Sequence, residues 1–192
     1  MIFSFVVAII AAAVTASADL SSIASLDTSR VLSGEVWRLL TGHITHLTWR
    51  QYAVDATAFV FLYATYSRMA GSASSVSLAL FSALAVSAAV IFAGMHQVYG
   101  GLSGLSCAAL SAILLTSIME HPRQITLYLV GFAYCAYLLF MEGIASDVNV
   151  AGEAHIAGAI LGVVFVLMWR NKGAVRKKCQ QLSWDLRKGT AA

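Results

Sequence analysis

The sequence predicts an all-α polytopic membrane protein with six transmembrane helices. Of its 192 residues 59% are hydrophobic and 11% charged, and mean hydropathy is +0.79, whereas an ordinary soluble domain carries roughly 25% charged residues. Apolar runs recur six times along the chain, each close to the roughly 20 residues needed to cross a hydrocarbon core of about 30 Å. The only proline is Pro122 and there is no Ser/Pro/Gln-rich stretch, so no long linker divides the chain. These observations exclude a water-soluble globule and give one membrane domain over residues 1–170, followed by a basic cytoplasmic tail over 171–192.

The first run, Ile2 to Ala18, ends in Ala-Ser-Ala before Asp19, as a signal-peptide cleavage site does, but no Lys or Arg precedes it. It is expected to be a retained first helix. Asp19 to Arg50, with Trp37, Arg38, His43, His46 and Trp49, is too polar to span and too aromatic to be disordered. The further spans are Gln51–Ser67, Ser74–Gly94, Ser103–Ile118, Gln124–Phe140 and Val150–Trp169, separated by short breaks.

Charge placement sets the orientation. Seven of the twelve Lys/Arg follow Trp169, and the rest of the chain has five Lys/Arg against eight Asp/Glu. A basic tail directly after an apolar run reads as a cytoplasmic membrane flank and argues against a nucleic-acid partner. With both termini cytoplasmic, Arg68, Arg123 and the tail lie inside while Arg30, Arg38 and Arg50 lie outside, nine against three. In the tail Val175, Cys179, Leu182 and Leu186 recur at helical spacing between basic residues, which fits either a helix on the inner surface or a plain solvated tail. Cys107, Cys135 and Cys179 form no disulfide framework.

Two stretches can carry chemistry. Tyr99-Gly-Gly-Leu-Ser-Gly-Leu-Ser106 opens the fourth span, with Gly100, Gly101 and Gly104 around Ser103. A loop turning into a helix there leaves backbone N–H groups unsatisfied beside the serine, which is how an oxyanion site is built. The plainer alternative is a small-residue helix start for close packing. The sixth span holds Gly152-Glu-Ala-His155-Ile-Ala-Gly158 and then Gly162. An ionisable residue inside a span is costly and functional by default, and Gly158 with Gly162 offers a face along which a partner helix can approach. The alternative is a histidine satisfied by one polar neighbour. Ser103 lies 17 residues before Glu120 and His155 lies 15 before Arg170, roughly 25 and 22 Å from the inner surface at about 1.5 Å per residue. At one depth, several ångströms below the outer face, they make a serine activated by a histidine base geometrically feasible.

The chain resembles the rhomboid intramembrane serine proteases from about Gly34 to Gly162. The match comprises Glu35-Val-Trp37-Arg38, then Thr41 and His46, Gly101-Leu102-Ser103-Gly104, and Ala154-His155-Ile-Ala-Gly158 with Gly162, in the family's order. The resemblance implies a rhomboid-like six-helix bundle in which Ser103 is the nucleophile and His155 the general base. Glu35, Trp37, Arg38 and His46 would belong to a structural loop lying half in the outer leaflet. It further implies a single-span membrane protein as substrate, met within the lipid bilayer of a bacterial inner membrane, with no cofactor and no metal. The Trp37-Arg-Leu-Leu-Thr-Gly-His43 stretch, the short chain and the basic tail are most similar to the rhombosortase subgroup. Its members are thought to process secreted proteins that end in Gly-Gly, one hydrophobic helix and a basic terminus.

Some positions depart from the family pattern. Many rhomboids offer the oxyanion a His and an Asn four residues apart on the second span; counted without gaps from Trp37-Arg38, these positions hold Gln51 and Asp55, still on one helix face. The Gln51 amide can donate. An ionised Asp55 would oppose an oxyanion, so it must be protonated, reoriented or used otherwise. A protonated Asp55 donating to the oxyanion is the favoured case, and pairing with His155 the other. Cys107 stands where an aromatic residue often follows the serine by four. Gly101, Leu102, Gly104 and His96 are expected to line the site with Gln51 and Asp55, although His96 can equally face outward from its loop. His43 and His46 read as loop hydrogen-bonders, because no His-Glu-x-x-His or acidic third ligand accompanies them. Glu153, about 200° round the helix from His155, is expected to face the outer aqueous side. Two rival readings remain, a catalytically inactive rhomboid-like protein that binds membrane helices, which Asp55 favours, and a small transporter. The transporter would need polar residues along a path through both leaflets, whereas the ionisable ones here cluster toward the outer half or the ends.

Overall fold

A computed structural model describes residues 2–94, 97–120, 133 and 151–169. The elements are α1 (Ile2–Thr15), α2 (Ala18–Ala24), β1 (Leu26–Asp27), α3 (Thr28–Leu32), α4 (Arg38–Thr41), a 3-10 turn (Gly42–Ile44), α5 (Trp49–Ala70), α6 (Ser72–Ala93), β2 (Val98–Tyr99), α7 (Ser103–Glu120) and α8 (Gly152–Trp169). Among the described residues α6, α7 and α8 are each long and apolar enough to cross a membrane, and the bent pair of α1 and α2 makes a fourth if it counts as one span. The expected span Gln124–Phe140, apart from Ala133, and the tail over 171–192 lie outside the described residues.

The first apolar run is not one straight helix. α1 stops at Thr15 and α2 leaves it at 116°. The local cause is Ser17, whose backbone is extended (φ −125, ψ 117) and whose side chain accepts from the Leu20 N–H at 3.3 Å, with Asp19 in the first turn of α2. A helix start at that point ends the preceding one. Ser21 Oγ then donates back to the Val14 carbonyl at 2.9 Å and holds the bend. Thr48 opens α5 in the same manner, accepting from the Gln51 N–H at 3.1 Å, so α5 begins earlier than Gln51. It also runs past Ser67, to a single-residue break at Gly71 (φ +87).

Helix α7 is the most enclosed element, buried from Ser103 through Ile113 and packed against α5 and α6. Its core neighbours include Phe59, Leu62 and Tyr63 of α5 and Leu78 of α6. α8 covers another side. A Cβ at Gly158 would strike the Gly104 carbonyl, and one at Gly162 the Ala108 carbonyl and Ser111 Oγ. The small-residue face of α8 thus meets α7; without a hydrophobic drive between helices in lipid, such close backbone contact is what holds them.

The segment between α1 and α5 folds into a compact cap held by β1, α4 and the 3-10 turn. β1 pairs antiparallel with β2, Leu26 opposite Tyr99 and Asp27 opposite Val98, and Thr28 N–H extends the bridge to the Gln97 carbonyl at 3.0 Å. Arg38 is almost wholly buried. Its Nε donates to Glu35 Oε2 at 2.7 Å, and its Nη1 to the carbonyls of Ser22 at 2.9 Å and Ser25 at 2.6 Å, where α2 ends. Trp37, next to it, remains 48% exposed.

Candidate active site

Ser103 is the first residue of α7, and His155 lies in the first turn of α8. His155 Nε2 stands 2.8 Å from Ser103 Oγ, with the serine buried and the histidine half-buried. Glycine packing fixes this approach. A Cβ at Gly104, beside the serine, would lie 3.2 Å from both the Ala154 carbonyl and the Tyr99 hydroxyl, while Gly158 rests on the Gly104 carbonyl from the other helix. Cys107 faces the same contact, its Cβ only 3.3 Å from where a Gly158 Cβ would be.

Gly101 has φ +138, a region that glycine enters without a Cβ penalty. A Cβ there would lie 3.0 Å from Asp55 Oδ2, 3.0 Å from Gln51 Nε2 and 3.7 Å from Ser103 Oγ. Gly101 is thus the common floor on which Gln51, Asp55 and Ser103 meet. Gln51 Nε2 donates to the Gly100 carbonyl at 3.2 Å and its Oε1 accepts from the Leu47 N–H at 3.0 Å, two bonds that use one of its two amide hydrogens.

Asp55 is buried beside Gly101. It is 1% exposed and its Oδ2 faces His46 Nε2 at 3.4 Å, so its neighbour is His46 and not His155. His46, placed by resemblance in a structural loop, is itself buried; Nδ1 lies 3.4 Å from Thr15 Oγ1 and the ring meets Tyr52 edge-on at 5.5 Å. The extended backbone at Thr48 turns the chain so that His46 folds back along the face of α5 that carries Asp55.

Other expectations need correction. Leu102 does not line the site with its side chain, which is wholly buried in the core; its carbonyl accepts from Ser106 N–H at 2.9 Å and Ser106 Oγ at 3.1 Å. Glu153 does not simply face outward: it is half-buried with Oε1 out of solvent contact, because the first turn of α8 is pressed onto α7. His96 lies outside the described residues.

Tyr99 is the site-supporting residue that sequence reasoning missed. Its hydroxyl donates to the Gly101 carbonyl at 3.3 Å, its ring packs edge-on to His43 at 5.6 Å, and burial pushes its phenol well above the ordinary range. The available signal was an aromatic heading the Gly-Gly turn. His43 supports it from behind: its Nε2–H is shared between the Ala83 carbonyl at 2.9 Å and Ser87 Oγ at 3.0 Å, the Ser87 hydroxyl donating onward to the Leu39 carbonyl at 2.8 Å. Burial pushes the His43 imidazole down to about 4, so it is neutral at physiological pH. A cavity of about 230 Å³ lined by Ser21, Ser22, Ser25, Thr45, His46 and Gly100, among others, adjoins the site on the α2 side.

A model of the Rhomboid domain family matches residues 33–172, most of the chain, taking in Gln51, Asp55, Ser103 and His155. The chain belongs to the rhomboid family. Rhomboids are in general intramembrane serine proteases that act on membrane proteins within the bilayer, and the family includes inactive homologues. With its apolar helices, this rhomboid is an integral membrane protein. No curated protein matches its sequence.

Proposed function

We propose that this rhomboid is an intramembrane serine endopeptidase with a Ser103–His155 dyad. The observation that supports this most is the 2.8 Å approach of the Ser103 hydroxyl to His155 Nε2, two groups that arrive from separate helices. With Nε2 unprotonated, the hydroxyl donates to it. Ser103 Oγ then attacks the scissile carbonyl as its proton passes to Nε2; the imidazolium returns that proton to the leaving amine, and water cleaves the acyl ester with His155 again as base. The backbone N–H of Ser103 and the second hydrogen of the Gln51 amide meet the developing oxyanion. Gly101, with no side chain, keeps that pocket open.

The substrate on this reading is a single-span membrane protein that unwinds locally near small, helix-weakening residues, since a helical peptide bond is shielded by its own hydrogen bonds. Water enters from the outer side, and the cavity beside His46 and Gly100 is a route for it. Six spans with both termini cytoplasmic, in a bacterial inner membrane, agree with nine Lys/Arg inside against three outside. A finer assignment to the rhombosortase type draws on the Trp37–His43 stretch and the basic residues after Trp169. Its substrates would carry a C-terminal Gly-Gly, one hydrophobic helix and a basic end.

The deciding experiment is labelling of the purified protein by a fluorophosphonate. Wild type is expected to label and Ser103→Ala not. A wild type that binds a membrane-spanning peptide but neither labels nor cleaves it is instead an inactive, helix-binding homologue.

A further inference from the structure

A carboxyl group against an oxyanion pocket is a liability unless something neutralises it, and the hydrogen-bond inventory around Asp55 shows what does. Thr15 has one hydroxyl hydrogen, and it goes to the Ala11 carbonyl at 2.8 Å. The 3.4 Å contact between Thr15 Oγ1 and His46 Nδ1 must therefore be donated by the imidazole, which places a hydrogen on Nδ1. Nε2 then faces Asp55 Oδ2 at 3.4 Å with both side chains buried. Neither Nε2 nor either Asp55 oxygen has an aligned hydrogen-bond partner among the described residues. A neutral imidazole lone pair turned on a carboxylate would be two acceptors repelling each other out of water. One further proton on either group relieves that repulsion.

We infer that His46 and Asp55 hold one proton in common and act as a single unit without net charge in the wall of the oxyanion pocket, His46 being the positioning residue that allows a carboxyl group to stand beside Gly101. The inference rests on the protease reading for its catalytic meaning, though not for the pair itself. Tyr52 bounds the unit from α5 through its ring edge, with its hydroxyl occupied by the Ala8 carbonyl at 3.1 Å. Gln51 and Ser103 bound it across Gly101, and Asp55 acts electrostatically on His155 and Tyr99 beyond them. Whether the shared proton rests nearer nitrogen or oxygen, the oxyanion meets no excess negative charge. Without His46 it meets a bare carboxylate, which at the effective dielectric of a protein interior slows the reaction on the order of 100-fold.

The test is a cycle of His46→Gln, Asp55→Asn and the double variant, with cleavage of a membrane-spanning substrate read as kcat and KM. His46→Gln is expected to lower kcat at least about 50-fold with little change in KM. Asp55→Asn, which also leaves the pocket wall without net charge, is expected to keep at least ten-fold more activity than His46→Gln. The double variant recovers at least ten-fold over His46→Gln alone. Purely structural losses would accumulate, so a double variant at or below His46→Gln, or Asp55→Asn as poor as His46→Gln, overturns the inference. The same cycle is run on thermal unfolding in detergent in the Ser103→Ala background, where Asp55→Asn must restore at least half of the midpoint lost by His46→Gln. If His46→Gln alone fails to accumulate while the double variant does, that is the expected rescue at the level of folding; if neither accumulates, the inference fails. Absence of labelling and cleavage in wild type would defeat the protease reading, and the unfolding cycle would still judge the pair.

Discussion

Gly158 lies against the carbonyl oxygen of Gly104 with no room for a methyl group between them, and this contact sits beside both Ser103 and His155. Backbone touching backbone at that point sets how far the imidazole is from the hydroxyl. Gly158→Ala is expected to pry α8 from α7, lowering cleavage at least ten-fold and stability by about 1–3 kcal/mol. Gly152→Ala, where a Cβ meets nothing within 4 Å, is expected to alter neither. Unfolding in detergent and a cleavage assay on the same samples check both.

Ser103→Ala and His155→Ala are each expected to abolish cleavage while leaving membrane insertion intact, and the double variant to be no worse than either single one, because a nucleophile and its base fail together. Ser106→Ala is the control: its hydroxyl is committed to the Leu102 carbonyl at 3.1 Å, and substantial activity should survive its loss. A double variant markedly slower than both singles would contradict the dyad.

His43 gives a pH dependence of stability with a definite sign. Its folded value of about 4 lies below the ordinary 6.5, so between these limits the unfolded chain binds a proton that the folded chain refuses. Stability is therefore fully present above about pH 6.5 and is lost as pH falls toward 4, with a slope of up to about 1.4 kcal/mol per pH unit. Thermal midpoints in detergent from pH 4 to pH 8 should follow this curve, and His43→Gln should flatten it.

Reporter fusions after Arg68, Pro122 and Trp169 are expected to lie in the cytoplasm, and fusions near Leu26 and Ser146 on the outer side. An odd number of spans, or removal of residues 2–18 as a signal peptide, would contradict the orientation.

What was legible in the sequence were features that are costly in an apolar setting. A histidine within a span and a serine framed by glycines at a helix start stand out because lipid makes them expensive, and Gly158 with Gly162 announces a helix contact. Features set by turns and pairings across the fold were hidden. The bend after Thr15 lies in a continuous apolar run whose only sign is Ser17 ahead of Asp19. The bridge of Leu26–Asp27 to Val98–Tyr99 is two residues long on each side, too short to show any period. His46 and Asp55 read as a loop residue and a misplaced acid because their meeting depends on the turn at Thr48, and Tyr99 gains its role only once Gly101 is in place.

The bridge between Leu26 and Tyr99 also has a consequence for biogenesis. All of α5 and α6 is synthesised between its two halves, so the ribosome delivers Leu26–Asp27 long before any pairing strand exists. The amides of Leu26 and Asp27 have no strand partner until Val98–Tyr99 has been made, and the loop leading to Ser103 locks only afterwards. Ser103, the proposed nucleophile, therefore gains its setting late in translation, and His155, later still, joins it, so a nascent chain released early lacks the Ser103–His155 contact.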